Sequence, residues 1–257
     1  VAAGAYLTLS APPPTPPSAS GSPDSNLQAL QTRLSAISSA LVSSIQKTYA
    51  EIVTLAAGPN AETLQAFLSS HPGVSAVFQV TEEGVVESVL PPGSTVVDAT
   101  YASTEEFKNV KEPLFTEGRN PYQFFTERTG YPAFIFTAPT SSRSIVGAVL
   151  DLSSFFAGLD LKGGEVFLLE AGSGRFFYHS DKAKLKETFN SQQDPWLARV
   201  QEDLKNKQAG RQMNGQVAAA AYQPLGIQAF GLVQVVPYAS VLPPPPRQHR
   251  AHRIKHP

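Results

Sequence analysis

The sequence predicts an α+β chain: one long N-terminal helix followed by two modules, each built on a small antiparallel sheet crossed by helices. Three observations predict it. An apolar stripe recurs at steps of three and four from Leu27 to Leu55, strand pairs around short polar or glycine turns recur along the chain, and helical stretches separate them. No sequence identity links the halves, so the repeat is one of architecture.

The chain opens without Met on "VAAGAYLTLS", small and apolar, which reads as the end of a membrane span cut from a longer protein. A leftover signal peptide or an ordinary frayed terminus are the alternatives. "APPPTPPSASGSP" combines proline-driven extension with Ser and Gly flexibility, so residues 1–23 are expected to be a span remnant and linker.

Residues 24–58 form the long helix. Asp24 is the expected N-cap, Leu27, Leu30, Leu34, Ile37, Leu41, Ile45, Tyr49, Ile52 and Leu55 make the stripe, and Gly58-Pro59 ends it. At about 1.5 Å per residue such a helix reaches roughly 48 Å, longer than a small domain is wide. It either packs along its own domain or also pairs with its twin in a homodimer, although Ser38, Ser39, Ser43 and Ser44 dilute a coiled-coil seam.

The first module is expected over residues 59–160. "AETLQAFLSSH" is a helix, and "VSAVFQV", "TEEG" and "VVESVL" are a hairpin with Gly at its turn. Residues 91–121 are irregular with a short helix near "STEEFKNV", after which "YPAFIFTAP" and "SIVGAVLDL" are strands joined by "TSSR". The second, smaller module covers 161–238: the hairpin "GEVFLLEA", "GSG", "RFFYHS", the helix "DPWLARVQEDLKNKQ", and the strands "GQVAAAAYQPL" and "QAFGLVQVVP". Residues 239–257 are a Pro-rich basic tail, either a natural disordered extension or vector-derived.

Composition narrows the function. The absence of Cys excludes disulfides, thiolate metal sites and a catalytic thiol. The last eleven residues hold four of the twenty Lys and Arg, so the body is mildly acidic and carries no nucleic-acid footprint. GxSxG, HExxH, P-loop and strand-linked GxGxxG motifs are missing, and Glu82-Glu83 and Glu105-Glu106 fit solvated turns. The chain is therefore expected to be no enzyme, with no catalytic residue, no cofactor and no metal site. His71, at a helix end, and His179, in "FFYHSD", are expected to be surface or turn residues.

Asp151 stands apart: a single acid closing an otherwise apolar strand must be solvated, paired, or left to bind a cation. Pro121-Tyr122, Thr129-Gly130, Pro139, Gly147 and Asp151 stand in an order, and with a Tyr122-to-Asp151 spacing, similar to those of amino-acid-binding double Cache sensor domains. These are the PAS-like extracytoplasmic input modules of bacterial chemoreceptors, sensor kinases and cyclases, and the likeness runs from Asp24 to Pro237. It implies a Cache fold, a ligand pocket in the first, membrane-distal module, and Tyr122 and Asp151 as the residues that hold an α-ammonium group. Further upstream those members carry an Arg, a Trp and a Tyr that clamp the ligand carboxylate, where this chain has "STEEFKNVKEPLF". Phe107 falls at the Tyr position, while Thr104 and Glu106 fall where Arg and Trp would be expected. Without the guanidinium a free α-carboxylate loses its bidentate partner, so an amine or other cation is favoured over an ordinary amino acid.

The expected ligand-binding set is Asp151, Tyr122, Thr137, Tyr131 and Phe107, with Arg119 and Arg128 as substitutes for the missing Arg. The resemblance places the region on the periplasmic or outer side of a bacterial inner membrane, within a membrane-anchored signalling protein. A different reading makes Tyr122 and Asp151 fold-keeping residues in a module that serves dimerisation or protein contact. It predicts a pocket filled by Phe124, Phe134 and Phe136, with the long helix and an exposed second sheet as the binding surface.

Overall fold

The computed structural model describes residues 22–94, 107–108, 111, 122–126, 132–157, 159, 164–188, 195–215, 217–226 and 230–242. Helix α1, Pro23–Ala56, is 34 residues long. It starts earlier than the sequence predicts: Ser22, not Asp24, is the cap, its side chain accepting from the Ser25 N–H at 3.3 Å. Pro23 suits the first helical position, where no N–H is needed, and Asp24 in the first turn complements the helix dipole. Ser22 and Pro23 thus belong to the helix rather than to a linker.

Helix α2, Ala61–Ser70, opens on a reciprocal cap in which Asn60 and Thr63 each accept from the other's backbone N–H at 2.9 Å. His71 closes it and ties it to α1: Nδ1 lies 2.8 Å from the Phe67 carbonyl oxygen, and Nε2 meets the Glu51 carboxylate.

The distal sheet contains β1 (Val74–Val80), β2 (Val86–Leu90), β3 (Tyr122–Thr126), β4 (Pro132–Pro139) and β5 (Ile145–Leu150), in the order β2-β1-β5-β4-β3. The proximal sheet contains β6 (Glu165–Glu170), β7 (Arg175–His179), β8 (Gly210–Asn214), β9 (Ala218–Pro224) and β10 (Phe230–Pro237), in the order β7-β6-β10-β9-β8. Every neighbouring pair is antiparallel, and the two orders are the same when counted within each module. The architectural repeat is therefore real, and each module has one strand that the sequence reading lacked, β3 or β8. Both are five-residue segments, "YQFFT" and "GRQMN", with no apolar alternation of their own. Pairing to β4 and β9 makes them strands.

A continuous core runs along α1. Leu34, Ile37, Leu41, Ile45 and Ile52 pack with Phe134, Phe136, Val146 and Ala148 of the distal sheet, and with Val166, Leu168, Phe177, Phe230 and Leu232 of the proximal one. Between the sheets lies a short helix that the sequence reading lacked, α3, Leu152–Ala157. Its Phe156 ring stacks on Tyr178 of β7 with centroids 3.9 Å apart.

The second face of the proximal sheet is covered by α4, Pro195–Lys205, whose Val200 and Leu204 pack with Phe167, Leu169, Tyr222 and Val233. Leu204 presses onto Gly231, where a Cβ would come within 2.3 Å of a Leu204 methyl carbon. The buried Tyr222 hydroxyl donates to Asp203 of α4, and burial together with that carboxylate pushes the phenol up to about 12. The proximal sheet is thus not the exposed binding surface that the interaction reading requires. Gln234, on β10, is fully buried with neither amide atom paired.

The expected tail boundary also shifts. A single 3-10 turn, Tyr238–Val241, buries Val241, whose carbonyl accepts from Asn26 Nδ2 of α1 at 2.8 Å, so the fold runs past residue 238.

His179 is not a surface residue. It is 2% exposed, its ring parallel to that of Phe167 and edge-on to Phe176, and its Nδ1 accepts from the Asp181 N–H at 2.9 Å. A bulge in the β6–β7 pairing puts it on the same face as Phe167 and Phe176, a placement its polar neighbours Ser180 and Asp181 concealed. Burial first, then the charge of Lys184, lowers its pKa from the ordinary 6.5. The unfolded chain therefore takes up a proton before the folded one does. Stability should fall as pH drops below about 6.5, and levels off once the folded imidazole also titrates. His179→Gln should flatten this slope between pH 7 and 5, as measured by urea unfolding.

Candidate functional site

Strand alternation gives the distal sheet two faces, and α1 occupies one of them. Ala76, Phe78, Val80, Ile135, Ile145 and Val149 line the other, with Phe107 from the crossing segment packed among them. Thr137 pairs with Gly147 in the register and is fully buried, and Phe78 lies over Gly147, where a Cβ would come within 2.1 Å of the ring. Phe134 and Phe136 instead face α1, in contact edge to face at 4.7 Å. The interaction reading needs both in the pocket, and the pleat puts them on the opposite side.

Phe107 is 3% exposed, in the short helical turn that includes Lys108, which agrees with a helix near "STEEFKNV". Tyr122 opens β3 and stands opposite Phe136 in the register. Tyr131, Arg119 and Arg128 lie outside the described residues, as do Thr104 and Glu106.

Asp151 does not close a strand. β5 ends at Leu150, the Asp151 N–H donates to the Gly73 carbonyl at 2.8 Å, and the residue is the N-cap of α3. Its Oδ1 accepts from the Ser153 N–H at 2.8 Å and its Oδ2 from the Ser154 hydroxyl at 2.9 Å. The half-buried carboxylate therefore has local partners, which the sequence reading lacked. The signal was legible: Asp followed by "LSSFFA" is a helix start. The helix that Asp151 caps buries Leu152 and Phe156 in the core along α1, on the other side of the sheet from Phe107.

At the far end of the same sheet, Arg143 donates through Nε and Nη2 at 2.6 Å to the two Glu82 oxygens and joins the β1–β2 and β4–β5 turns. The guanidinium holds the Glu82 carboxyl below its ordinary range. No group of three or more His, Asp or Glu among the described residues is placed to hold a metal ion.

The fold is that of a known structural class. The chain has the double Cache-type fold found in extracellular sensor domains of chemoreceptors and histidine kinases. It is similar to the ligand-binding domain of the Pseudomonas aeruginosa PAO1 amino acid chemoreceptor PctB in complex with L-Gln, at 16% identity and a TM-score of 0.54 over 84% of this chain and 91% of that one. The V. cholerae histidine kinase DctB sensor domain matches at 12% identity with a TM-score of 0.58, over 83% and 98% of the two chains. An extracellular ligand binding receptor from Desulfohalobium retbaense DSM5692 matches at 11% identity with a TM-score of 0.56; 83% of this chain covers 39% of that one. No family model matches the sequence, and no curated protein matches it. These neighbours are sensor and receptor domains rather than enzymes. No helix among the described residues is long and apolar enough to cross a membrane.

Proposed function

We propose that the chain is the extracytoplasmic ligand-sensing region of a membrane-anchored bacterial signalling receptor, without catalytic activity of its own. It takes a small amine or other cation at the distal module. The observation that carries the reading is the shared frame, two like-ordered sheets on one long helix, found over most of the length of several sensor domains. On the resemblance of the sequence Asp151 supplies the anion; Phe107 and Thr137 are buried in the distal module. Tyr122, Tyr131, Arg119 and Arg128 complete the proposed set on the resemblance of the sequence alone. A ligand that binds one arrangement of this pocket better than another shifts the population of receptor states.

A thermal-shift screen of amines and polyamines tests this, since a ligand bound only by the folded state raises the melting temperature. By calorimetry, Asp151→Ala is expected to lose about 3 kcal/mol or more of amine affinity, because the ammonium is left unpaired. Unchanged affinity removes Asp151 from the site.

One observation favours a further role for α1 in dimerisation. Ala29, Thr32, Ala36, Ser39, Ser43 and Ala50 are exposed at steps of three, four and seven, and no charged residue occurs from Leu34 to Gln46. Small uncharged residues at this spacing let two helices approach closely along a 3.5-residue seam. Sedimentation equilibrium is expected to find a dimer that Ser39→Arg dissociates; a monomer at all concentrations removes this role.

A further inference from the structure

We propose that Gln234 forms an interior hydration site between α1 and the proximal sheet, its amide holding a buried water molecule. The inference is independent of the amine reading of the distal module. Gln234 is 0% exposed, and neither its Oε1 nor its Nε2 meets a partner among the described residues. A primary amide withdrawn from water without replacement hydrogen bonds opposes folding. Buried polar side chains are for that reason nearly always paired, with protein or with ordered water.

Alternation along β10 places Gln234 on the α1 side, between Leu232 and Val236. These two neighbours belong to different apolar clusters. Leu232 packs with Val166, Ala221 and Leu34, and Val236 with Leu27, Ala219 and Val241. The amide thus stands at a seam where the core beneath α1 is interrupted. Its register partners, Ala221 of β9 and Val166 of β6, bring no hydrogen-bonding side chain, and Ala221 fills little of the space beside it. Leu30 of α1 packs against both clusters, yet it is only half-buried, so the seam is incompletely sealed. A polar group with a small neighbour and an imperfect cover retains water, where an apolar gap would stay dry. The amide carries donors, an acceptor and no charge, so its guest is a neutral molecule that does both, and water is the smallest.

The test is water-to-protein cross-relaxation in the NMR spectrum of the wild-type chain, read at the Gln234 side-chain NH2 after through-bond assignment. Expected is a cross-peak with the sign of a long-lived, slowly exchanging water. Urea unfolding of Gln234→Met is the second measurement, since methionine keeps the unbranched shape and removes the amide. If the amide is hydrated, the variant strips the water of its partner, and the urea midpoint is unchanged or lower. If the amide is dry and unpaired, the same change relieves an unmet hydrogen-bonding group and raises the midpoint. A Gln234 amide without water contact, or a raised midpoint in Gln234→Met, overturns the site. The cross-relaxation measurement uses the wild type, so it decides the matter even where the variant fails to fold.

Discussion

Gly147→Val is expected to destabilise the domain by about 3 kcal/mol, near the upper end for forcing methyl groups into a packed core. Gly147 lies in the central strand β5, between β1 and β4, and the Phe78 ring occupies the space where its side chain would be. Phe78 is fully buried among Ala76, Val80 and Val149, so the ring has little room to yield. Phe78→Ala alone should cost about 3–5 kcal/mol by leaving a cavity. The double variant should cost less than the sum of the two, because the valine partly fills what the ring vacates. Urea unfolding of the four proteins measures this coupling; strict additivity would mean that the two residues do not share the space.

Phe156→Ala is the other large effect expected, about 3–5 kcal/mol. Phe156 is 1% exposed, touches Phe155 edge-on at 5.2 Å and stacks on Tyr178. Its loss opens a cavity where α3 meets the proximal sheet. Phe155→Ala, at a half-buried position, is the control and should cost clearly less. Equal losses in the two variants would show that the Tyr178 stack adds nothing.

The parts of this fold that were legible in the sequence are those with their own period. The stripe from Leu27 to Leu55 predicts α1 because a helix buried along one side repeats its apolar residues every three or four positions. The strands β1, β4, β5, β6, β9 and β10 are apolar enough to declare themselves. Edge strands β3 and β8 are not, since they gain their conformation from a neighbour rather than from composition. At the candidate site, Asp151 was legible as an unusual acid, but its role as a cap was hidden by reading "SIVGAVLDL" as one strand. The apolar run continues straight from β5 into the first residue of α3, so the boundary lies in the Asp itself and in the two serines after it. His179 was misplaced for a related reason: a polar stretch marks where a strand ends, not which way its last side chain points.

Because α1 supplies a wall to both cores, the two sheets are halves of one cooperative unit. Cutting the chain between α3 and β6 would leave the distal half with a helix whose Leu27 and Leu34 had lost the proximal residues they cover. The released proximal half would present Val166, Leu168 and Leu232 to water. The doubling in the strand orders is therefore not divisible: a repeat in topology is one folding entity, held in common by one helix that belongs to neither sheet.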